Sequence, residues 1–425
     1  VTLSDGTLNI GFDHEVENPV LNAIEVYEVN TAFPTLTLDA ITDQANDVGE
    51  VANLMASANG GDPGENTYYY VSGQPDGIVI NVNTGQITGT ISAGAAIGGP
   101  NGDGIHIARV SVQKTGSAPA NQVFTWAVTA PALWTDKDEN ENYTARHECS
   151  FVQAGDKFYL MGGRENATTL DVYDYATDSW TSLVNSAPVE FNHYQAIEYQ
   201  GLIWVIGAFK DNLFPNEVPA DYIWAFDPAK EVWIQGPEIP SARKRGSAGL
   251  AVYNDKFYIV AGNTIGHNGG YVAWFDEYDP ATGTWTPLTD APRDRDHFHA
   301  EVIGDKLYAV GGRLSGGTGG VFKPVIPEVD VYDFTAGTWS TLPAAQNLPT
   351  PRGAPAVANF NGKLVVAGGE VEDELVYGVL TDDALAVTEE YDPVTGNWER
   401  LGDLNFKRHG TQAIVSGNGI FVTGG

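Results

Sequence analysis

The chain has 425 residues, enough for two or three domains, and a formal charge of −33 from 22 Lys+Arg against 55 Asp+Glu. That charge repels a polyanion before any contact forms, which argues against nucleic acid as a partner. One cysteine, Cys149, excludes an intramolecular disulfide framework, and no run of 18 apolar residues is present to cross a membrane as a helix. With 49 glycines, 23 prolines and 11% aromatics, the composition predicts an all-β protein with many turns. The chain starts at Val1 and stops at Gly425 inside a repeat, and is expected to be an internal piece of something longer, in which a missing signal peptide carries no information.

Residues 1–29 carry two strand-like runs, Asp5-Gly6-Thr7-Leu8-Asn9-Ile10-Gly11-Phe12 and Asn22-Ala23-Ile24-Glu25-Val26-Tyr27-Glu28. They resemble the C-terminal end of a malectin-like, carbohydrate-binding domain. The piece is too short to hold a core, and no sugar-contacting residue carries over to it. Residues 30–130 read as a separate module with strands over Ile105 to Gln113 and Val123 to Thr129. The run from Tyr70 through Asn81-Val82-Asn83-Thr84-Gly85 to Ile91 resembles the immunoglobulin-like, cadherin-like domains of bacterial surface proteins. The resemblance implies a β-sandwich acting as a spacer.

From residue 131 to 425 the sequence repeats. A small pair follows an apolar strand at Gly162-Gly163, Gly207-Ala208, Ala261-Gly262, Gly311-Gly312, Gly368-Gly369 and Gly424-Gly425, at spacings of 45, 54, 50, 57 and 56. Sixteen residues before each stand Arg146, Phe191, Arg245, Arg295, Arg352 and Arg408, and two strands with a tight turn fill the interval. After each complete pair comes an aromatic-Asp step: Tyr173-Asp174, Phe226-Asp227, Tyr278-Asp279, Tyr332-Asp333 and Tyr391-Asp392. Trp180, Trp233, Trp285, Trp339 and Trp398 follow six or seven residues later, across a turn between third and fourth strands. This order of features resembles the kelch family over about 290 residues. It implies a kelch β-propeller, in which four-stranded blades bury their faces against one another. The expectation is six blades, incomplete at the C-terminus, with Trp134 in the outer strand of the sixth, beside Phe421.

In such a propeller the arginine positions fall at the mouth of the central channel. Five of six blades place an Arg there: Arg146, Arg245, Arg295, Arg352 and Arg408. Neighbouring positions add His147, Glu148, His193, Tyr194, His297, His299 and His409. In so acidic a chain this column is expected to form a cationic ring, and a guanidinium fork suits carboxylates. The resemblance implies that peptide or glycan ligands bind on that face, and the expected ligand is acidic.

Chemistry is a weaker reading. Cys149 and Tyr194 share a repeat position on adjacent blades, as in copper radical oxidases similar to galactose oxidase, where Cys and Tyr are cross-linked. His299 and His409 are present, but a second tyrosine is missing and Phe298 stands there instead, so no copper and no thioether are expected. Sialic acid mutarotases, also six-bladed kelch proteins, imply an alternative role for Glu148 beside His147 in acid–base work on a sugar. Asp136, Asp138 and Asn140 have a calcium-loop spacing but lack the glycine and the bidentate acid, and read as a solvated linker. The expectation is thus an extracellular or cell-surface, multi-module binding protein of bacterial type, not an enzyme, without metal or cofactor. A structural role in a surface assembly is the other alternative.

Overall fold

In a computed structural model of the chain, the structure describes residues 35–101, 104–129, 134–184, 186–376 and 379–425. The malectin-like reading of residues 1–29 lies outside them. The described residues are strands and loops with three short 3-10 turns. The chain divides into two compact units, residues 1–129 and 130–425.

In the first unit a four-stranded sheet runs in the order Gln44–Asp47, Ala120–Thr129, Ile105–Lys114, Thr67–Ser72. A three-stranded sheet runs Val51–Met55, Gln86–Thr90, Ile78–Ile80. Alternate residues of Ile105–Lys114 point inward, and Val110, Val112, Trp126, Tyr69, Ile78 and Ile87 form one core shared by both sheets. The hairpin in the Tyr70–Ile91 run is set by Asn81, whose Oδ1 accepts from the amides of Asn83 and Thr84 at 3.0 and 3.1 Å.

The second unit holds five four-stranded antiparallel sheets and two two-stranded ones among the described residues: the hairpin Glu370–Val376 with Val379–Ala384, and a last sheet of Ala413–Ser416 with Gly419–Val422. The first sheet is Cys149–Ala154, Lys157–Gly162, Leu170–Asp174 and Ser179–Leu183, paired in chain order. The first strands of successive sheets, Cys149–Ala154, Ala196–Tyr199, Gly249–Tyr253, His299–Ile303, Ala356–Phe360 and Ala413–Ser416, lie against one another in a closed circuit. Cys149 N donates to Gly410 O at 2.9 Å and Gly425 N to Arg146 O at 2.7 Å, so the last sheet meets the first. The architecture is a β-propeller.

The repeated aromatics are the glue of each sheet. Tyr173 faces Trp180 across the third and fourth strands, and Phe226–Trp233, Tyr278–Trp285, Tyr332–Trp339 and Tyr391–Trp398 repeat the register. Ring centroids lie 5.1 to 6.0 Å apart, within the range of favourable aromatic pairs. The following Asp caps the turn, as when Asp174 Oδ1 accepts from Ala176 N at 3.0 Å. The glycine pair lets strands cross closely: a Cβ on Gly163, at φ +97°, would meet His147 O at 2.6 Å.

The arginines do not form a cationic mouth. Arg146, Arg245, Arg295 and Arg352 are buried inside their own sheets. Each pairs with an acid on the third strand of the same sheet: Asp171 (2.6 Å), Asp276 (2.8 Å), Asp330 (2.6 Å) and Glu389 (2.6 Å). Each also donates to second-strand carbonyls, for example Arg245 Nε to Ala261 O at 2.6 Å and Arg352 Nη2 to Val366 O at 2.9 Å. Half-buried Arg408 keeps the second contact, Nη1 to Gly424 O at 2.6 Å. The reason is stereochemical: an Arg at the entry of the first strand is long enough to reach back along its sheet, and there it stitches three strands together. The second sheet tests this account. It has Phe191 in place of Arg and Trp224 in place of the acid, and the two rings pack at 6.3 Å. The ion pair has been exchanged as a pair for an aromatic pair.

A buried carboxylate left without its cation is costly, and among the described residues Asp171 has only Arg146 as an ion-pair partner, whereas Asp276 also meets Arg243. Arg146→Ala is therefore expected to lower unfolding free energy by about 3–5 kcal/mol, and Asp171→Ala comparably. The double change Arg146→Phe with Asp171→Trp, copying the second sheet, is expected to cost less than the two single changes summed. Urea denaturation of the four proteins measures this; additive losses would contradict the pairing.

Candidate functional site

Two residues past each arginine position, the chain turns onto the axis. Glu148, His193, Ser247, His297, Ala354 and Gly410 occupy these places, and all six have φ between +47° and +62°. The left-handed backbone points their amides and carbonyls around a circle. His193 N donates to Glu148 O (2.9 Å), Ser247 N to His193 O (2.8 Å), Ala354 N to His297 O (2.6 Å) and Gly410 N to Ala354 O (2.9 Å). His297 N joins the round through Ser247 Oγ at 3.0 Å, and Cys149 N, next to Glu148, closes it on Gly410 O at 2.9 Å. Only one of the six is glycine, so the ring carries backbone strain of about 1 kcal/mol or more at each other position. Strain kept at Glu and His marks them as candidates for function.

Two residues further on, the axis is closed. Gln195 Nε2 donates to Ala300 O at 2.9 Å, and its Oε1 accepts from Leu250 N and Ala300 N. Gln412 Nε2 donates to Ala196 O at 2.8 Å, beside Ser150. Between the ring and this plug is a space of about 20 Å³ lined by Glu148, Ser247, His297 and His299. That is room for about one water or ion.

On the other side of the ring, the residues following the small pairs and the loops beyond them reach inward. Arg164 bonds Glu217 at 2.6 Å, and Arg313 pairs with Glu370. His267, on the loop of the third sheet, comes to the axis beside His193 and His297. The three ring centroids are 5.0, 4.7 and 4.8 Å apart. Each Nδ1 faces an oxygen: Asn192 Oδ1 (2.6 Å) for His193, Glu217 Oε2 (3.1 Å) for His267 and Asp296 Oδ1 (2.5 Å) for His297. Burial pushes His193 down to about 4 and His297 well below its usual value, so both are neutral at pH 7. Glu148 is buried beside them, its Oε2 3.3 Å from His193 Nε2.

Of the residues expected from sequence to contact ligand, Glu148, His193, His297 and His299 are brought together on the axis, all buried. His147 and His409 meet at the rim, rings 5.4 Å apart, with Glu165 and Glu370 as partners. Tyr194 is not presented to a ligand: it is buried, and its hydroxyl donates to Met161 O at 2.8 Å. Cys149 is a buried free thiol facing Arg146 O and Gly410 O at 3.6 Å, and burial pushes it up to about 11. His267 and Glu217 were missed because they belong to loops outside the repeat register, and Arg164 and Arg313 because the position directly after the small pair varies, as Arg164, Phe209, Asn263, Arg313 and Glu370.

A cavity of about 790 Å³ lies elsewhere: between Phe158, Tyr173 and Trp180 of the first sheet and Val365, Leu401 and Leu404 at the fifth, alongside Phe421 of the last, two-stranded sheet. Its walls are sheet faces of the kind that adjacent sheets cover around the rest of the ring, so it is read as a feature of the architecture rather than a ligand site. Trp134 lines it without lying in a strand, and its Nε1 donates to Gly402 O at 3.0 Å.

Residues 234–425 match the family described as the KLHDC2/KLHL20/DRC7 Kelch-repeats domain. Over that stretch the chain is similar to kelch repeats. The Kelch-like protein terF of Aspergillus terreus is 29% identical over 294 residues, covering 66% of this chain and 61% of that protein. Kelch-like protein 23 of Homo sapiens is 24% identical over 308 residues, covering 70% and 49%, and Alpha-scruin of Limulus polyphemus 26% identical over 261, covering 57% and 26%. The chain thus spans less than two thirds of each of these relatives. A solved structure titled "Structure of YjhT" superposes with a TM-score of 0.55 at 16% identity, covering 67% of this chain and 91% of that one, a likeness of fold. The propeller ring of this chain has its axis shut by glutamines and its upper side furnished with histidines.

Two measurements follow from burial. His299 is pushed down to about 4 by desolvation, and its Nδ1 has no partner. Below pH 6.5 the unfolded chain takes up a proton that the folded one refuses. The stability this neutral site contributes is complete above about 6.5 and falls as pH drops toward 4, by about 3 kcal/mol at most. In urea titrations from pH 7.5 to 4.5, His299→Leu is expected to flatten that decline; an unchanged slope would show that His299 is not its source. Cys149 should resist iodoacetamide at pH 8 in the native protein and react once unfolded, with the intact mass showing no loss of two hydrogens.

Proposed function

We propose that the kelch propeller is a binding module whose contact face is built from the long loops that follow the second strands, and that its ligand is a protein. The observation that carries this is an exposed apolar cluster on two adjacent loops. Leu213 and Phe214 are 65% and 53% exposed, with Val218 and Ile265 beside them in the same loop pair. These loops are held rigid against one another: His267 N donates to Pro215 O at 2.9 Å, and Asn268 Nδ2 to Asn216 Oδ1 at 2.6 Å. Exposed apolar anchors on a pre-ordered scaffold are what a protein partner buries at low entropic cost.

The face carries no cationic field from the blade arginines, so the charge argument for an acidic ligand loses its support. A sugar-active channel is disfavoured by size, since about 20 Å³ on the axis does not admit a sugar ring. This weighs against both the oxidase-like and the mutarotase-like readings. We read the ring as six-bladed, with Trp134 standing for the outer tryptophan of the last blade. Trp339 and Trp398 donate to Thr289 O and Gln346 O, just after the sheet before their own, and Trp134 does the same to Gly402. The first unit we read as an immunoglobulin- or cadherin-like sandwich serving as a spacer. The extracellular, surface-attached setting rests on the module order in the sequence alone.

Peptide and glycan arrays probed with the labelled chain test the proposal. Binding to peptide or protein features should fall at least about tenfold in Leu213→Ser/Phe214→Ser and persist in Val394→Ser, an exposed apolar residue on the opposite end of the propeller. Binding confined to glycans, or lost only with Val394→Ser, would overturn it.

A further inference from the structure

The three axial histidines present a problem of electron pairs. Asn192 fixes its amide by donating Nδ2 to Glu190 O and Asp211 O, so the Oδ1 facing His193 is an acceptor. Glu217 accepts from Arg164 and faces His267 with its other oxygen. Asp296 accepts from the Ser315 amide and hydroxyl, and faces His297. Each Nδ1 therefore carries its ring's proton, and each Nε2 carries a lone pair. The ligand nitrogens of the three lie within 4.8 Å of one another. His297 Nε2 is buried with no hydrogen-bond partner, and the Glu148 carboxyl stands 3.3 Å from His193 Nε2. Three electron-pair donors thus converge, with the Glu148 carboxyl beside one of them, under a cap formed by Phe214, 4.9 Å from the His267 ring, and Phe322, 6.2 Å from it. The cations close by are committed elsewhere: Arg164, whose Nη2 is 3.5 Å from His193 Nε2, pairs with Glu217, and Arg313 with Glu370. Lone pairs gathered out of water repel one another unless a cation sits between them.

We propose that His193, His267 and His297 bind a divalent transition-metal ion of the zinc class at the head of the propeller axis, with Glu148 as the fourth ligand. The donor set is three neutral imidazoles and one carboxylate, the mixture that zinc accepts in tetrahedral geometry. Bonds of about 2.0–2.1 Å put ligand nitrogens roughly 3.4 Å apart, so the rings close in by about an ångström on loading. The oxygens behind each Nδ1 supply the outer contacts that orient metal-bound histidines. They come from three different segments of the ring, and Glu217 also ties the second sheet's loop to the third's. The ion would then lock the loops that carry Leu213, Phe214 and Ile265. This site was not expected from sequence, and it stands whether or not those loops bind a protein.

The test uses the whole chain, freed of metal by dialysis against a chelator. Added Co²⁺ is expected to give the intense visible bands of tetrahedral coordination, saturating at one ion per chain and displaced by Zn²⁺. Zn²⁺ should raise the melting temperature by several degrees. His267→Ala, in a loop rather than a strand, is expected to weaken binding by at least about 100-fold, and Glu217→Gln by about 10–100-fold. His147→Ala should leave binding intact, and circular dichroism checks that each variant is folded. Absence of cobalt bands and of any zinc-induced shift in the wild-type chain would overturn the proposal. So would binding that survives His267→Ala, or binding lost with His409→Ala, which would place the ion on the rim group of Glu148, Glu370 and His409 instead.

Discussion

The constraint on which the rest depends is closure of the ring at its axis. Six strand entries must meet there, and each can do so only by turning its backbone into the left-handed region at the residue two past the arginine position. Once turned, five of the six amides find the neighbour's carbonyl or side chain, Cys149 N closes the circle, and these hydrogen bonds recover part of the strain. Everything functional is hung on that circle. The side chains at these positions have no choice but to face one another, so a Glu and two His placed there form a cluster by construction. The loops after the small pairs then bring His267 and Glu217 down onto it.

The blade arginines belong to the same logic one step outward. Each fixes the approach of a first strand to the axis by binding second-strand carbonyls and a third-strand carboxylate. That a sheet can use Phe191 and Trp224 instead shows that the requirement is to fill and tie that corner. An ion pair there is one way to do so; its burial brings little net stability, whereas breaking it exposes a lone charge to a dry interior.

The fold was legible because it is periodic. The small pairs, the aromatic-Asp steps and the tryptophans recur at fixed offsets, and each offset corresponds to one turn or one cross-strand pair in the sheet. The arginine column was equally visible, yet its role was misread, because a one-letter pattern shows charge and not burial. The correcting signal was present: Asp171, Asp276, Asp330 and Glu389 each lie two residues before the aromatic of the third strand, and the one sheet without Arg lacks that acid too. The axial Glu148, His193, His297 and His299 were found because they share a repeat position. His267, in Ile265-Gly266-His267-Asn268-Gly269-Gly270, was not, since loops of unequal length have no register and only the folded chain shows where they end.

The glutamine plug has a mechanical meaning. Arrays of repeats are usually held together by nearest neighbours, so they can peel from an end. Gln195 instead reaches from the second sheet to Ala300 in the fourth, and Gln412 from the last sheet to Ala196 in the second. These spokes cross the hub and join sheets that do not touch along the rim. Sliding one blade past its neighbour would strain bonds on the far side of the wheel, so shear applied at any one module is shared by the whole ring.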